Sequence, residues 1–247
     1  MVIGIDGCRR GWVAAEWDEP AHTAQVHFYS TLEECMRAKG SRLKLALIDI
    51  PMGLPSGTGP MRLCESLARN LLGPRKSSVF PVPVRSAVYE LGGPEAASLV
   101  NFRLTGKKVS RQSWNLFPKI READIFLRRH PRLRGRTRES HPELCFAALN
   151  AGRPLPKPKK HPLGLKHRRR LLEEFWPLPG KAFKEFSRRF PGTAAEDDVL
   201  DAIVLAVSAR LIESEGQPET LPAEPAKDEC GLAMRIVFPR PSAVKRR

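Results

Sequence analysis

Aspartates in apolar surroundings are the residues of this chain whose types and positions suggest chemistry. Asp6 lies within the apolar run VIGIDGC, Asp49 follows the run LALI, and Asp201 lies within the apolar sequence VLDAIVLAV. A buried carboxylate costs several kcal/mol unless a partner compensates its charge. A divalent metal ion compensates several carboxylates at once, so the pattern indicates a metal site.

Each of these acids also has a structural explanation. Asp6 precedes a glycine, where an aspartate commonly begins a turn, and Asp49 can simply end a strand. Acids in the first turn of a helix are favoured by its dipole and its free N–H groups, which accounts for Asp197 and Asp198. Asp201 lies beyond that turn and shares a helix face with Asp198, where like charges repel unless a cation bridges them. Asp201 is therefore the strongest candidate ligand on this helix.

A two-metal phosphodiesterase needs several carboxylates close together. This chain would supply one on its first strand, one after a later strand and a pair on a helix. Carboxylate oxygens favour Mg²⁺ or Mn²⁺ over zinc. The five cysteines have no spacing typical of zinc and are expected to be reduced thiols that mostly pack in the core. The sequence thus predicts Mg²⁺ or Mn²⁺ as cofactor, with Asp6, Asp49, Asp198 and Asp201 as ligands.

Composition bounds the class of protein. The chain has 247 residues, 41% of them hydrophobic, and a formal net charge of +15. The hydrophobic content suffices for a core. The charge favours a polyanionic partner such as nucleic acid, although surplus arginine without such a function is an equal alternative. Neither a signal peptide nor a membrane-spanning stretch is recognisable, so we expect a cytoplasmic protein without membrane contact.

The elements that must position the acids follow from the order of the apolar runs. The segments VIGIDGC, GWVAAEW and AQVHFYS predict an antiparallel meander of three strands. A short helix follows, with Thr31 as N-cap and Glu34 completing a capping box. The continuous apolar run LKLALIDI is typical of a buried parallel strand. The predicted order is therefore β-β-β-α-β.

The rest of the chain is predicted to be mostly helical. Residues 52–118 are rich in proline and glycine and predict an insertion over one end of the sheet, with a helix at MRLCESLARNLLG. KIREADIFLRRH predicts an amphipathic helix, and TRESHPELCFAALN a strand that runs into a short helix. The last long helix is predicted to begin with Thr193 and Glu196 as a capping box. GLAMRIVFP predicts a final edge strand, and residues 241–247 a basic flexible tail.

The order β-β-β-α-β with acids at these places resembles the ribonuclease H-like fold, and the DDxxD pattern of the last helix is similar to its resolvase branch. More closely, GIDGCRRGWVAA, DIPMGLP, ESHPELCFAALNAGRPL and EDDVLDAIVLAVSA resemble the uncharacterised family called domain of unknown function 429, from Val2 to about Leu232. Its members are commonly described as predicted ribonuclease H-fold nucleases. The resemblance implies a single α/β domain over residues 1–240. Its mixed five-stranded sheet, an antiparallel meander and then parallel strands, would be flanked by helices.

The resemblance also implies roles for individual residues. The acidic, catalytic centre would consist of Asp6, Asp49, Glu139, Asp198 and Asp201. The substrate-binding residues would be His141 and Glu143 of the HPE motif, Arg62 and Arg69 on one helix, and Lys159, Lys160 and Arg168 in a basic segment. Each of these has a structural alternative: a structural histidine, a salt-bridged helix face or a solvated run of charge.

We therefore predict a nuclease that hydrolyses phosphodiester bonds of DNA or RNA by a two-metal mechanism, as a monomer or a homodimer. Three alternatives stay open. The first alternative is a non-catalytic nucleic-acid-binding protein, and the second is an enzyme that acts on a small phosphorylated molecule. The third is a protein whose acids are all structural.

Overall fold

Alternating apolar residues form a mixed sheet of five strands. β1 (Val2–Cys8), β2 (Gly11–Asp18) and β3 (Thr23–Tyr29) pair antiparallel, and β4 (Leu45–Ile48) and β5 (Thr137–Glu139) continue the sheet in parallel on the other side of β1. The strand order is β3-β2-β1-β4-β5. The predicted α/β fold with an antiparallel meander followed by parallel strands is confirmed, and it is consistent with a ribonuclease H-like arrangement.

The computed structural model describes residues 1–241 except residues 20 and 22. The tail predicted at 241–247 lies outside the described residues apart from Pro241. The helices are α1 (Leu32–Arg37), α2 (Cys64–Leu72), α3 (Arg85–Val88), α4 (Pro94–Thr105), α5 (Arg111–Arg129), α6 (Pro142–Leu149), α7 (Pro162–Leu172), α8 (Pro179–Arg189) and α9 (Glu196–Glu215). Two further strands, β6 (Glu219–Leu221) and β7 (Ile236–Phe238), pair antiparallel. The strand predicted in GLAMRIVFP therefore belongs to this separate two-stranded sheet and is not an edge of the main one.

Side chains alternate across the main sheet and build a core on each face. On one face, Val2, Val13 and Leu47 pack with α2, α6, α7, α8 and α9. On the other face, residues such as Ile5 and Ile48 pack with α1, α4 and α5. The sheet therefore lies between two layers of helices.

Helix α9 crosses the sheet at Gly4. A Cβ on Gly4 would lie 2.2 Å from the Ala202 carbonyl oxygen and 2.2 Å from the Ala206 nitrogen. Real Cβ atoms do not approach backbone so closely, so only glycine allows this contact between β1 and α9. The close contact places the N-terminal half of α9, including Asp201, beside the end of β1.

The predicted N-terminus of α9 is wrong by two residues. The helix begins at Glu196, with Ala195 in the N-cap position. Thr193 donates its hydroxyl to the Phe190 carbonyl at 2.7 Å, so it does not cap the helix. Instead the Asp198 carboxylate accepts a hydrogen bond from the Ala195 nitrogen at 2.9 Å. At α1, by contrast, the predicted N-cap is confirmed, because Thr31 Oγ1 accepts from the Glu34 nitrogen at 3.1 Å.

Helix α5 begins earlier than predicted and contains Pro118. Ser110 is its N-cap and accepts a hydrogen bond from the Ser113 nitrogen at 3.1 Å. The segment predicted as an insertion, 52–118, thus ends inside α5. That it is an insertion stays a prediction.

The state of the cysteines and the search for membrane-spanning helices complete the description of the fold. All five cysteines are free thiols, and four of them are buried, as expected of packing residues. In the part of the chain that the structure describes, no helix combines the length and apolar character needed to cross a membrane.

Candidate functional site

The parallel pairing of β1 and β4 brings Asp6 and Asp49 together. Ile5 lies opposite Ile48, and the Asp49 nitrogen donates to the Ile5 carbonyl at 3.0 Å. Because Ile5 and Ile48 both face the α5 layer, the next residue of each strand points to the α9 layer. The Asp6 and Asp49 carboxyl groups meet there, close enough for the charge of Asp49 to raise the pKa of Asp6.

Helix α9 brings Asp201 to the same place. Burial raises the pKa of Asp6 well above its usual value, and the charges of Asp201 and Asp49 raise it further. Burial also raises the pKa of Asp49, and raises that of Asp201 to about 6. Three carboxyl groups from two strands and one helix therefore share a buried pocket in which their charges repel.

Lys159 is the cation closest to this group of acids in the described structure. Its Nζ lies 2.6 Å from Asp201 Oδ2 and 3.4 Å from Asp197 Oδ2. The charges of Asp201 and Asp6 hold the pKa of Lys159 well above its usual value, although its partial burial opposes this. One ammonium group thus offsets part of the negative charge.

The loop that carries Lys159 is held against α7. A Cβ on Gly164 would lie 1.9 Å from the Pro158 carbonyl oxygen, so α7 touches the loop backbone there. Arg168, one turn further along α7, donates to the Lys157 carbonyl at 3.1 Å. Both contacts fix the position of Lys159.

Asp198 is at the margin of the acidic group. Its carboxylate caps α9 through the Ala195 nitrogen, which is the role that the helix dipole and free N–H groups favour. It nevertheless lines the same cavity as Asp6 and Asp201, and burial raises its pKa.

Glu139 is held by Arg62, although it lines the same cavity as the three aspartates. Its register opposite Ile48 turns its side chain to the other face of the sheet from Asp49. Its carboxylate accepts hydrogen bonds from Arg62 Nη2 at 2.7 and 2.9 Å and from the Met52 nitrogen at 2.7 Å. Glu139 therefore forms a buried ion pair, and the catalytic role that the family resemblance implies for it stays a prediction.

A compact cluster of ligand atoms does surround Glu139. Among the described residues, only Cys64, Glu65 and Glu139 form a group of three whose potential ligand atoms all lie within 4.8 Å of one another. Arg62 donates to Glu65 Oε1 at 2.8 Å as well as to Glu139, so a guanidinium group already compensates these acids. Because Asp6, Asp49 and Asp201 do not meet that spacing, one ion in contact with all three would require side-chain movement. Two ions, each between two carboxylates, would not require all three to touch one ion.

The HPE motif faces the aspartates with one histidine and one further carboxylate. His141 Nδ1 accepts from the Glu143 nitrogen at 3.2 Å, and Nε2 lies 3.3 Å from the Ser78 carbonyl. These contacts assign the neutral tautomer with its proton on Nε2. Glu143 Oε1 is paired with Arg168 and lies 3.4 Å from Arg75 Nη2.

The other oxygen of Glu143 remains available. Oε2 is buried and has no hydrogen-bond partner among the described residues. The charge of Glu143 raises the pKa of Asp49 and of Asp201, so this carboxylate faces their group. Glu143, which the family resemblance assigns to substrate binding, is therefore a further acid that faces the three aspartates.

Three arginines predicted to bind substrate have structural contacts instead. Arg168 is 0% exposed, so substrate has no access to it. Arg69 donates to the carbonyls of Lys76 and Val79 at 2.9 and 2.6 Å, which supports the loop of residues 73–79. Arg62 is buried between Glu65 and Glu139. These side chains position the loops around the site.

A cavity of about 580 Å³ opens above the acids. Asp6, Asp49, Asp201 and Glu143 line it together with four cations, two serines and other residues. The cations are Arg75, Lys119, Lys159 and Lys160, and the serines are Ser77 and Ser78. Acids and cations that line one cavity suit an anionic ligand that binds beside a metal.

The sequence interpretation missed Arg75 and Lys119. Lys119 extends from α5, its Nζ lies 4.4 Å from the Trp12 ring centroid, and burial lowers its pKa. Its Cδ would lie 3.0 Å from a Cβ on Gly7, so Lys119 passes directly over the end of β1. Neither residue stands out by its type or spacing, so only the fold identifies them.

Comparison with known proteins gives one match. The model of a family described as "Protein of unknown function (DUF429)" matches residues 4–227. No curated protein and no solved structure matches the chain.

Proposed function

We propose that this chain, which belongs to the DUF429 family, is a Mg²⁺- or Mn²⁺-dependent nuclease that hydrolyses phosphodiester bonds in the cavity above Asp6, Asp49 and Asp201. One observation carries the proposal. The carboxyl groups of Asp6, Asp49 and Asp201, whose pKa values are raised, line the same cavity as four cations.

The residues present fit a divalent cation. The donors are carboxylate oxygens, the class that Mg²⁺ and Mn²⁺ prefer. Asp6, Asp49 and Asp201 would hold the ions, with the unpartnered Glu143 Oε2 as a further donor. Burial and then the charges of neighbouring acids raise the pKa values of Asp6 and Asp201, and Lys159 only partly opposes this rise. When bound, such ions lower the pKa of water and stabilise charge on the phosphate.

The surrounding residues would bind and orient the substrate. Lys119, Lys160 and Arg75 line the cavity, where phosphate oxygens would accept their hydrogen bonds. Neutral His141 donates to the Ser78 carbonyl and so holds the loop that carries Ser77 and Ser78. A formal net charge of +15 favours the approach of a polyanion.

The substitution Asp6→Asn tests the proposal. It removes a ligand but keeps the shape of the side chain, and it removes one of the repelling charges, so the protein should still fold. We expect the loss of Mn²⁺-dependent cleavage of a labelled oligonucleotide, with an unchanged circular dichroism spectrum. Glu185→Gln, which alters a mostly exposed carboxylate on α8, is the matched control and should cleave normally. Cleavage by Asp6→Asn at the wild-type rate would contradict the proposed metal site.

A second candidate function is favoured by the ion pair of Lys159 and Asp201. An ammonium group in contact with a central carboxylate is also what a metal-free site would contain. A non-catalytic protein of this kind would bind nucleic acid in a salt-sensitive way. It would show no turnover in Mg²⁺ or Mn²⁺, which distinguishes it from the nuclease.

A further inference from the structure

A groove of about 560 Å³ lies between α4 and α5, separate from the acidic cavity. Its apolar surface is formed mainly by Leu99, Phe102 and Trp114. Lys108 and Arg111 are the basic residues of the lining, and both are exposed. The lining therefore combines aromatic rings with positive charge.

The aromatic surface is open to a ligand. Phe102 and Leu99 are each 48% exposed, an unusual degree for large apolar side chains on neighbouring turns of one helix. Trp114 is half-buried, and its ring packs on Phe117 at 5.0 Å between centroids, so it is held in place. Rigid aromatic rings beside basic residues are the combination on which single-stranded nucleic acids stack.

The groove and the acidic cavity are neighbours along α5. Gln112, Leu116 and Lys119 line the cavity, whereas Arg111 and Trp114 line the groove. Arg111 and Leu116 are five residues apart, which is about 8 Å along a helix axis. A chain molecule whose phosphate lies in the cavity can therefore continue into the groove.

The charge of the groove lining favours an anionic ligand over an uncharged apolar one. Glu95 is the acidic residue of the lining, against the two cations Lys108 and Arg111. Two further exposed basic residues, Arg103 and Lys107, lie next to lining residues in the chain. A polyanion with apolar faces fits this surface better than an uncharged apolar partner does.

We propose that the α4–α5 groove binds the nucleotides next to the cleaved bond in a single strand of nucleic acid. This inference rests on the proposed function. Their bases stack on Phe102 and Trp114, and their phosphates contact Lys108 and Arg111. The substrate is then a polymer with a single-stranded segment, and a small phosphorylated molecule would leave the groove empty.

Binding of a fluorescent single-stranded oligonucleotide of about 12 nucleotides to the full chain in EDTA tests the inference. Phe102→Ala should weaken binding by about tenfold, since it removes the ring on which one base stacks. Lys108→Glu should also weaken binding, since it replaces a phosphate contact with a negative charge. Leu178→Ala and Lys181→Glu are the matched controls, because they alter an exposed leucine and an exposed lysine at α8. The controls should bind like the wild type.

A second readout follows Trp114 directly. Stacking of a base should quench part of the tryptophan fluorescence of the wild type, and Trp114→Phe should lack that part. Wild-type affinity in both Phe102→Ala and Lys108→Glu would overturn the inference. A change of oligomeric state in Phe102→Ala would overturn it too, since a second copy of the chain would then cover the groove.

The two proposals fail in different ways. If the wild type binds the oligonucleotide through the groove but does not cleave it in Mn²⁺, the nuclease proposal fails while groove binding stands. If Asp6→Asn loses cleavage but the groove variants bind normally, the nuclease stands and the groove inference fails.

Discussion

Lys159 offsets part of the negative charge of Asp201 before a divalent cation binds. Their contact is 2.6 Å long, and the Lys159 side chain is 35% exposed while that of Asp201 is 3% exposed. A divalent cation bound to Asp201 would compete with the ammonium group for the same oxygens. The two candidate functions therefore differ at Lys159. In the nuclease a bound ion displaces its ammonium group from Asp201, and in the metal-free protein the ion pair persists.

Replacement of that lysine tests the competition. We expect Lys159→Gln to lower the melting temperature in EDTA, because a buried carboxylate loses its counter-charge. The increase in melting temperature on addition of Mn²⁺ should be larger than in the wild type, since the ion no longer competes with the ammonium group. Lys160→Gln is the control, because Lys160 is exposed and forms no ion pair with Asp201 among the described residues. A Mn²⁺ response equal to that of the wild type would show that Lys159 does not compete.

The raised pKa of Asp201 predicts a specific dependence of stability on pH. Burial raises this pKa from 3.8 to about 6. The folded state therefore keeps a proton that the unfolded state has lost at intermediate pH, so this stabilisation is complete below about pH 4 and is lost as pH rises through about 6. The shift corresponds to about 3 kcal/mol.

Urea unfolding in EDTA measures that dependence. Between about pH 4.5 and pH 7, the free energy of unfolding should fall more in the wild type than in Asp201→Asn, which has no such proton to lose. The neighbouring charges of Lys159, Asp49 and Glu143 are common to both proteins. An equal change in both would contradict a perturbed Asp201.

Individual residues were predictable from sequence to different extents. Asp6, Asp49 and Asp201 stand out because each carboxylate interrupts an apolar run, and the structure brings them together. Glu139 was not predictable as an ion-pair residue, because its orientation depends on the register of β5 against β4. The contact with Arg62, which comes from α2's N-terminal flank, joins distant parts of the chain and leaves no local pattern.

At the scale of elements, two glycines set the distances on which the site depends. Gly4 allows α9 to touch β1, and Gly164 allows α7 to touch the loop before Lys159. In both places a methyl group would meet backbone atoms, which cannot rotate away. Helix and loop positions are therefore fixed by the absence of a side chain.

Gly164→Ala tests this at the Lys159 loop. The added Cβ would lie 1.9 Å from the Pro158 carbonyl oxygen, so the loop must move and Lys159 with it. We expect a loss of roughly 1–3 kcal/mol in the free energy of unfolding, as for overpacked cores, and a Mn²⁺ response like that of Lys159→Gln. Gly180→Ala in α8 is the control, since its nearest neighbour is the flexible Arg169 Cδ at 3.2 Å. If both variants behaved alike, the close contact at Gly164 would not position the loop.

Elements with strong periodic patterns were predicted well, and their ends less so. The strands β1 to β4 and the helix α9 follow from continuous or alternating apolar runs. The cap of α9 differs from the prediction because Thr193 bonds to Phe190 instead, a choice made by the preceding loop. The pairing of β6 with β7 joins two segments of three residues each, too short for a periodic signal.

At the scale of the whole molecule, the fold brings several acids into one cavity while the chain as a whole is strongly basic. The formal net charge is +15, yet Asp6, Asp49, Asp201 and Glu143 meet at the end of the parallel strands. General electrostatic attraction would bring a polyanion to the surface, and the acids would hold the ions that act on it. The groove between α4 and α5 extends this surface along α5.

The most direct test of this arrangement is a crystal of the protein soaked in Mn²⁺ and measured for the anomalous signal of manganese. We predict two peaks among Asp6, Asp49 and Asp201, with Lys159 moved away from Asp201. A map without manganese at these residues, with the Lys159–Asp201 ion pair intact, would contradict a metal-dependent nuclease.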